Sequence, residues 1–247
     1  MRQILNKWLK NRHLSKLSYF VKQSSYRIFK QHCLLCAASN ANAVGLCTAC
    51  LNDLPWHPAS SCPQCGLASS HQVCGSCLRS QPDFNATHAI YLYAYPLDAM
   101  MHGYKYGSQL NLSRTFGQLL LQKTQSNKVD LIIPMPMHPT RLKQRGFNQA
   151  LEIAKVLAKD NACKLDYKTV IRQTLTPPQA SLPLKQRVKN IKGAFNIINA
   201  EHLMGKRIAI VDDVMTTGAS LNELAKTLKQ AGASHVECWV IARTLPN

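Results

Sequence analysis

Eight of the ten cysteines in this 247-residue chain lie between Cys33 and Cys77, as four pairs with one repeated gap: Cys33/Cys36, Cys47/Cys50, Cys62/Cys65 and Cys74/Cys77. A disulfide framework also produces even cysteine counts, but it has no reason to repeat one spacing four times. A CxxC gap lets two thiolates from one tight turn reach a single tetrahedral Zn²⁺ at ~2.3 Å. Eight thiolates then make two four-cysteine sites with no position left for water, the closed arrangement of structural zinc. A redox CxxC would occur once, beside a βαβ pattern. Sequence does not fix which pairs share an ion. Intervals of 10, 11 and 8 residues between the pairs suit short hairpins. They favour sequential ribbons, with Cys33, Cys36, Cys47 and Cys50 on one ion and Cys62, Cys65, Cys74 and Cys77 on the other. A cross-brace would interleave them. His32, His57 and His71 could each replace a ligand, but with eight cysteines present they read as bystanders.

The N-terminus lacks the compact apolar segment of a secretory signal, and no apolar run approaches the ~18–20 residues of a bilayer span. The expected setting is a soluble protein kept in a reducing compartment, where disulfides do not persist. Charge narrows the partners. The chain has 30 Lys+Arg against 12 Asp+Glu, a net charge of +18. Residues 1–80 carry an excess of +8 and the remainder +10, so the bias is not confined to one tail. Such a field favours nucleic acid, phosphorylated small molecules or an acidic membrane surface. Residues 1–31 hold eight basic residues and no acid, with Ile4, Leu5, Trp8 and Leu9 at helical spacing. They read as a basic amphipathic arm, either for a membrane surface or nucleic acid or packed on the zinc module.

Beyond a linker at Gln81–Asn85 the texture changes to apolar strands alternating with amphipathic helices. Strands are expected at His88–Tyr95, Val129–Pro134, Asp166–Arg172, Arg207–Asp212 and His235–Arg243. Helices are expected at Pro96–Tyr106, Leu110–Lys123, Asn148–Lys159 (Asn148 as N-cap) and Ala219–Ala231. This alternation predicts an α/β domain with a mainly parallel sheet flanked by helices. The organisation is therefore arm 1–31, double zinc ribbon 32–80 and α/β domain 81–247. Cys163 and Cys238 read as apolar fillers. Trp56, Tyr91 and Tyr93 are candidate base-stacking rings, and Trp239 reads as core.

The stretch richest in chemistry is RIAIVDDVMTTGAS, Arg207–Ser220. An apolar strand ends in Asp212 and Asp213, at the edge where open α/β sheets bind ligands. Thr216, Thr217, Gly218, Ala219 and Ser220 then bring backbone N–H groups and hydroxyls to a helix N-terminus, a ready anion site. Adjacent carboxylates can take vicinal ribose hydroxyls or a metal. Acids followed by a phosphate cradle fit a sugar phosphate with free hydroxyls. Neither the P-loop lysine pattern nor GxGxxG is present. An isolated DD pair could be no more than solvated acids before a helix cap; the full string is much more specific, and it resembles the phosphoribosyl-diphosphate (PRPP) motif of type I phosphoribosyltransferases. A second strand leaves through IIPMPMHPTRLKQRGFNQA, Ile132–Ala150, whose Arg141, Lys143 and Arg145 could hold a diphosphate opposite that loop. TPPQASLPLKQRVKN is too proline-rich for a long regular element and reads as a basic flap.

In this order the strings resemble the ComF family of competence-associated proteins, from about Cys33 to Arg243: the CxxC pairs, YKYG at Tyr104–Gly107, PMPMH…R…RGFNQA, the Q…R…N flap and VDDVMTTGAS. The resemblance implies a type I phosphoribosyltransferase-like domain behind a double zinc ribbon, with two structural zinc ions and Mg²⁺ accompanying PRPP. It implies PRPP or a ribose 5-phosphate ligand at Asp212 and Asp213 (ribose) and Thr216–Ser220 (5′-phosphate). Pro136, Met137 and His138 fall where the diphosphate loop should be, and Arg145 and Arg187 match basic positions. The role implied is handling of incoming single-stranded DNA during natural transformation, in the cytoplasm or at the inner membrane, beside a competence helicase or DNA-uptake channel. Two other readings use the same residues: a working phosphoribosyltransferase with an unidentified acceptor, and a PRPP-sensing regulator.

Overall fold

The computed structural model describes residues 31–70, 72–107, 109–161, 163–175 and 191–246. The basic arm, His71 and flap residues 176–190, with Arg187, lie outside the described residues. Two compact units divide between Asp53 and Leu54. The third and fourth cysteine pairs thus share a unit with the sheet, whereas composition put the boundary at 80/81.

Each unit contains one copy of the same small module. In the first, Cys33 N–H donates to Ala38 O (2.8 Å) and Ala37 N–H to Cys33 O (2.9 Å). In the second, Cys62 N–H donates to Leu67 O (2.8 Å) and Gly66 N–H to Cys62 O (2.9 Å). Ala37 and Gly66, each following the second cysteine, take left-handed φ values of 60° and 68°. Glycine does so at no steric cost, while an alanine there costs ~1–2 kcal/mol. A one-turn helix closes each module, α1 (Thr48–Asn52) from an extended Cys47 and α2 (Gly75–Arg79) from an extended Cys74. CLLCA and CPQCG share only their cysteines, so the repeated pairs are visible in the sequence and the repeated fold is not.

The second unit continues with β1 (Ala86–Leu92), α3 (Leu97–Tyr106), α4 (Leu112–Thr124), β2 (Leu131–Pro134), α5 (Pro139–Arg145), α6 (Gln149–Asn161) and β3 (Lys164–Leu165). Then come β4 (Val170–Arg172), β5 (Phe195–Ile197), a 3-10 turn at Glu201–Leu203, β6 (Arg207–Met215), α7 (Ala219–Gln230) and β7 (His235–Arg243). Five strands form a parallel sheet in the order β1-β7-β6-β2-β3. Its central strands are buried on both faces, as Ile208–Val211 and Val236–Ala242 show, which is why they read as continuous apolar runs. Ile208, Ile210, Val236, Cys238 and Val240 pack with Leu221, Leu224 and Leu228 of α7. The helices α4 and α6 cover the other face. No helix among the described residues is long and apolar enough to cross a membrane.

Three expectations need correction. Asp166–Arg172 is not one strand. Only β3 joins the sheet; Asp166 Oδ1 then accepts the N–H groups of Lys168 (3.0 Å) and Thr169 (3.1 Å), a side-chain turn that steers the chain away. β4 and β5 instead pair with each other, antiparallel. The basic loop after β2 is the helix α5, started by His138 with Pro139 in its first turn and stopped by Gly146 in the left-handed region, a Pro-start, Gly-stop signature. β6 runs through both acids to Met215 rather than ending at Asp212.

At the amino end of the sheet, Glu237 is 5% exposed. It accepts from Asn127 (2.7 Å), Trp239 Nε1 (3.0 Å) and His235 (3.0 Å), with His88 at 3.4 Å and Arg207 at 3.6 Å. Burial alone would raise its pKa, but bonds from His88, Asn127, Trp239 and His235 hold the carboxyl well below the usual range. A folded value below the unfolded one means the stabilisation is complete above about pH 4.5 and is lost as pH falls. Glu237→Gln is expected to cost ~3 kcal/mol at neutral pH, with the gap to the native protein narrowing in acid, as read by urea unfolding at a series of pH values.

Candidate functional site

The structure groups the cysteines sequentially. The sulfurs of Cys33, Cys36, Cys47 and Cys50 lie within 4.8 Å of one another, as do those of Cys62, Cys65, Cys74 and Cys77. Cys36 Sγ and Cys47 Sγ are 3.7 Å apart, and Cys65 Sγ and Cys74 Sγ 3.6 Å, against the ~3.8 Å edge of a tetrahedron with ~2.3 Å Zn–S bonds. Against burial, backbone N–H groups of Cys36, Cys47 and Leu35 draw the Cys33 thiol down to about 6. Those of Cys74, Cys65 and Gln64 draw Cys62 down to about 7. None of the eight is in a disulfide. The donor set fits zinc. His57 is not a ligand: its Nε2 lies 2.6 Å from Gly66 O. His32 Nδ1 lies 2.9 Å from Ala37 O.

The second candidate site follows from topology. After β2 the chain moves outward to β3, and after β6 it moves the opposite way to β7. Loops leaving the adjacent carboxyl ends of β2 and β6 therefore part and open a crevice, the position where open α/β sheets bind ligands. Its volume is about 610 Å³, and Pro136, Met137, Arg145, Asp212, Asp213, Thr216 and Ser220 line it. Tyr93, Lys105, Tyr106, Arg141 and Arg172 also line it. Of the other residues singled out, His138 Nδ1 accepts Thr140 N–H (3.2 Å) at the start of α5. Thr217 Oγ1 accepts Ala219 N–H (3.2 Å), and Gly218 is the N-cap of α7 at φ 80°. Its left-handed φ is what the turn requires of glycine; the atom nearest an added Cβ, at 2.7 Å, is Met215 Cε, the movable end of a flexible side chain. Tyr91 and Trp239 are fully buried and offer no stacking face.

Charge in the crevice is divided. Asp213 pairs with Lys105 Nζ at 2.9 Å. Burial and the neighbouring Asp213 push the Asp212 carboxyl up to about 8. Lys105 is held above its usual pKa against burial by Asp213 and Asp212. The YKYG string explains how Lys105 arrives there. Tyr104 is fully buried, packs edge-on against Phe116 and donates its hydroxyl to Gln149 O (2.8 Å). That bond fixes α3 and turns the next residue toward β6. Tyr106, the residue after, lies exposed with the Arg145 guanidinium 5.1 Å from its ring centroid. Reading the sequence assigns no role to Lys105 or Arg172, because the contacts that bring them here are long-range.

Residues 142–245 match the phosphoribosyl transferase domain and residues 26–79 the double zinc ribbon domain. The "DNA utilization protein YhgH" of Salmonella typhimurium is 32% identical over 210 residues, covering 81% of this chain and 91% of that protein. The chain belongs to the ComF family. "Competence protein F" of Haemophilus influenzae is 32% identical over 209 residues, 81% of this chain and 90% of that one. "Competence protein ComFC" of Streptococcus pneumoniae is 24% identical over 200 residues, 80% and 87%. As a member of this competence-associated family the chain carries a phosphoribosyltransferase-type α/β domain behind a ribbon with two four-cysteine sites for structural zinc.

Elemental analysis of reductant-protected protein should return two zinc ions per chain, and one after Cys33→Ser with Cys36→Ser. A content of one or none in the native chain contradicts the assignment.

Proposed function

We propose that this chain binds a ribose 5-phosphate ester, PRPP in its full form, in the β2/β6 crevice, and that it handles incoming single-stranded DNA in natural transformation. The crevice supports the first half: Asp212 and Asp213, near the end of β6, share its lining with Thr216, Ser220, Arg141, Arg145 and Arg172. A sugar phosphate needs that polarity. Vicinal hydroxyls donate to Asp212 and Asp213, the 5′-phosphate takes the backbone N–H groups and hydroxyls of Thr216–Ser220, and guanidiniums match a diphosphate at C1. Mg²⁺ would travel with the diphosphate. Charge supports the DNA half, together with the names of the relatives, a DNA utilization protein and two competence proteins. In this reading the protein works on the cytoplasmic side of the inner membrane, beside the DNA-uptake machinery.

Phosphoribosyl transfer is the second reading, favoured by the Lys105–Asp213 pair, since a DNA scaffold has no need of buried carboxylates beneath a phosphate loop. In that case diphosphate leaves C1 through an oxocarbenium-like state stabilised by the nearby acids.

Calorimetry with ribose 5-phosphate tests the pocket. Asp212→Asn with Asp213→Asn should weaken binding at least tenfold, since hydrogen bonds to charged groups contribute ~1.5–3 kcal/mol each. Asp212 accepts its ribose hydroxyl more strongly as a carboxylate, and its carboxyl is raised to about 8, so binding near pH 7 should release a proton. Affinity should rise from about pH 7 to about pH 8.5, where the phosphate is already dianionic. Asp212→Asn should abolish that rise; unchanged affinity in the double variant removes the pocket assignment.

DNA binding should be dominated by phosphate contacts and fall log-linearly with salt. Reversing Lys185, Arg187, Lys189 and Lys192 to Glu should weaken it and flatten the slope. Absence of salt-dependent binding in the full chain at low ionic strength removes the DNA reading and leaves the transferase.

A further inference from the structure

The carboxyl end of β7 carries a charged side chain to which the crevice gives no role. Arg243 is 3% exposed, and its hydrogen bonds among the described residues go to backbone carbonyls. Nε donates to Cys65 O (2.8 Å), in the knuckle of the second cysteine cluster. Nη1 donates to Met215 O (3.0 Å), Thr216 O and Thr244 O (2.9 Å). One rigid fork thus holds the zinc knuckle at one edge and the first residues of the phosphate loop at another. The arginine is thus held at both edges by backbone carbonyls, one of them that of a zinc-ligating cysteine.

A second connection runs beside the first. Thr87, in β1, takes Pro63 O with its N–H (2.9 Å) and Gln64 O with its hydroxyl. Its Oγ1 also lies 3.9 Å from Met215 Sδ. Met215 is buried, and its Cε occupies the space a Cβ would need on Gly218. The knuckle therefore bears on the loop twice, through Arg243 on its backbone at Met215 and Thr216 and through Thr87 and Met215 beneath Gly218.

We propose that the second zinc centre and the phosphate loop form one conformational unit, with Arg243 as the positioning residue that couples metal occupancy to the shape of the ligand site. With the Cys62, Cys65, Cys74 and Cys77 sulfurs splayed by metal loss, the knuckle shifts, Arg243 loses its anchor on Cys65 O, and residues 215–218 lose their lateral support. The coupling is reciprocal: a phosphate ester that orders the loop holds the zinc more tightly. That reciprocal half rests on the ribose-phosphate reading of the crevice, while the link from metal to loop does not.

The test uses the full-length, zinc-loaded chain and the variants Arg243→Met and Arg243→Lys. Amide hydrogen exchange over residues 214–220 should accelerate at least tenfold when a chelator empties the second cluster, with residues 131–134 of β2 unchanged. Arg243→Met should reproduce the acceleration with zinc retained. Saturating ribose 5-phosphate should slow chelator-driven alkylation of Cys62, Cys65, Cys74 and Cys77 at least threefold in the native chain, and not that of Cys33, Cys36, Cys47 and Cys50. Loop exchange that stays constant both on metal loss and in Arg243→Met overturns the proposal. If the exchange responds but ribose 5-phosphate gives no protection and no binding heat, the coupling stands and the pocket reading falls. If chelation loosens β2 as well, zinc-loaded Arg243→Met decides. If that variant does not fold, Arg243→Lys decides, because it keeps the charge and loses the fork: faster loop exchange supports the proposal and native exchange overturns it.

Discussion

Two adjacent carboxylates at the end of a buried strand repel each other and resist desolvation, and a fold that places them there must supply a cation. Lys105 is that cation. Its ammonium meets Asp213 at 2.9 Å, while burial and the neighbouring Asp213 raise the Asp212 carboxyl. The pair also fixes α3 against β6, and with it Tyr106 and the Arg145 guanidinium above it. The Lys105–Asp213 pair thus joins elements far apart in the chain, beside the Tyr104–Gln149 bond that holds α3.

The zinc modules answer a different constraint. A segment of about thirty residues cannot bury a core of useful size, so small folds of this kind draw their stability from metal. The same knuckle and one-turn helix serves twice, but its second copy shares a compact unit with the sheet. There the knuckle carbonyls of Pro63, Gln64 and Cys65 are all taken, by Thr87 and Arg243. That copy is built into the same compact unit as the sheet.

Local signals in the sequence were strong wherever the chemistry is local. The CxxC spacing points to the eight ligands but leaves their pairing open, the apolar run before Asp212 points to a buried strand, and Asn148 does cap α6, accepting from Ala150 N–H and Leu151 N–H. What stayed illegible depends on partners distant in sequence. Arg243 and Cys65 are 178 positions apart, and nothing in HVECWVIAR distinguishes a bridging arginine from a solvated one. The break after β3 was hidden because Asp166 has two roles: its Oδ1 makes the turn, while Oδ2 holds His202 at 2.6 Å. A run of strand-forming residues shows neither. α5 is legible in Pro139 and Gly146, which bracket its seven residues, but the density of basic side chains between them masks the helical period.

We propose that the parting of β2 and β6 makes a ribose-phosphate site, with acids for the sugar and a loop for the phosphate. A crystal structure of the zinc-loaded chain with ribose 5-phosphate tests this most directly. The phosphate should lie against the N–H groups of Thr216–Ser220, with the vicinal hydroxyls on Asp212 and Asp213. A phosphate seated instead among Arg141, Arg145 and Arg172, with the sugar turned away from both acids, would contradict it.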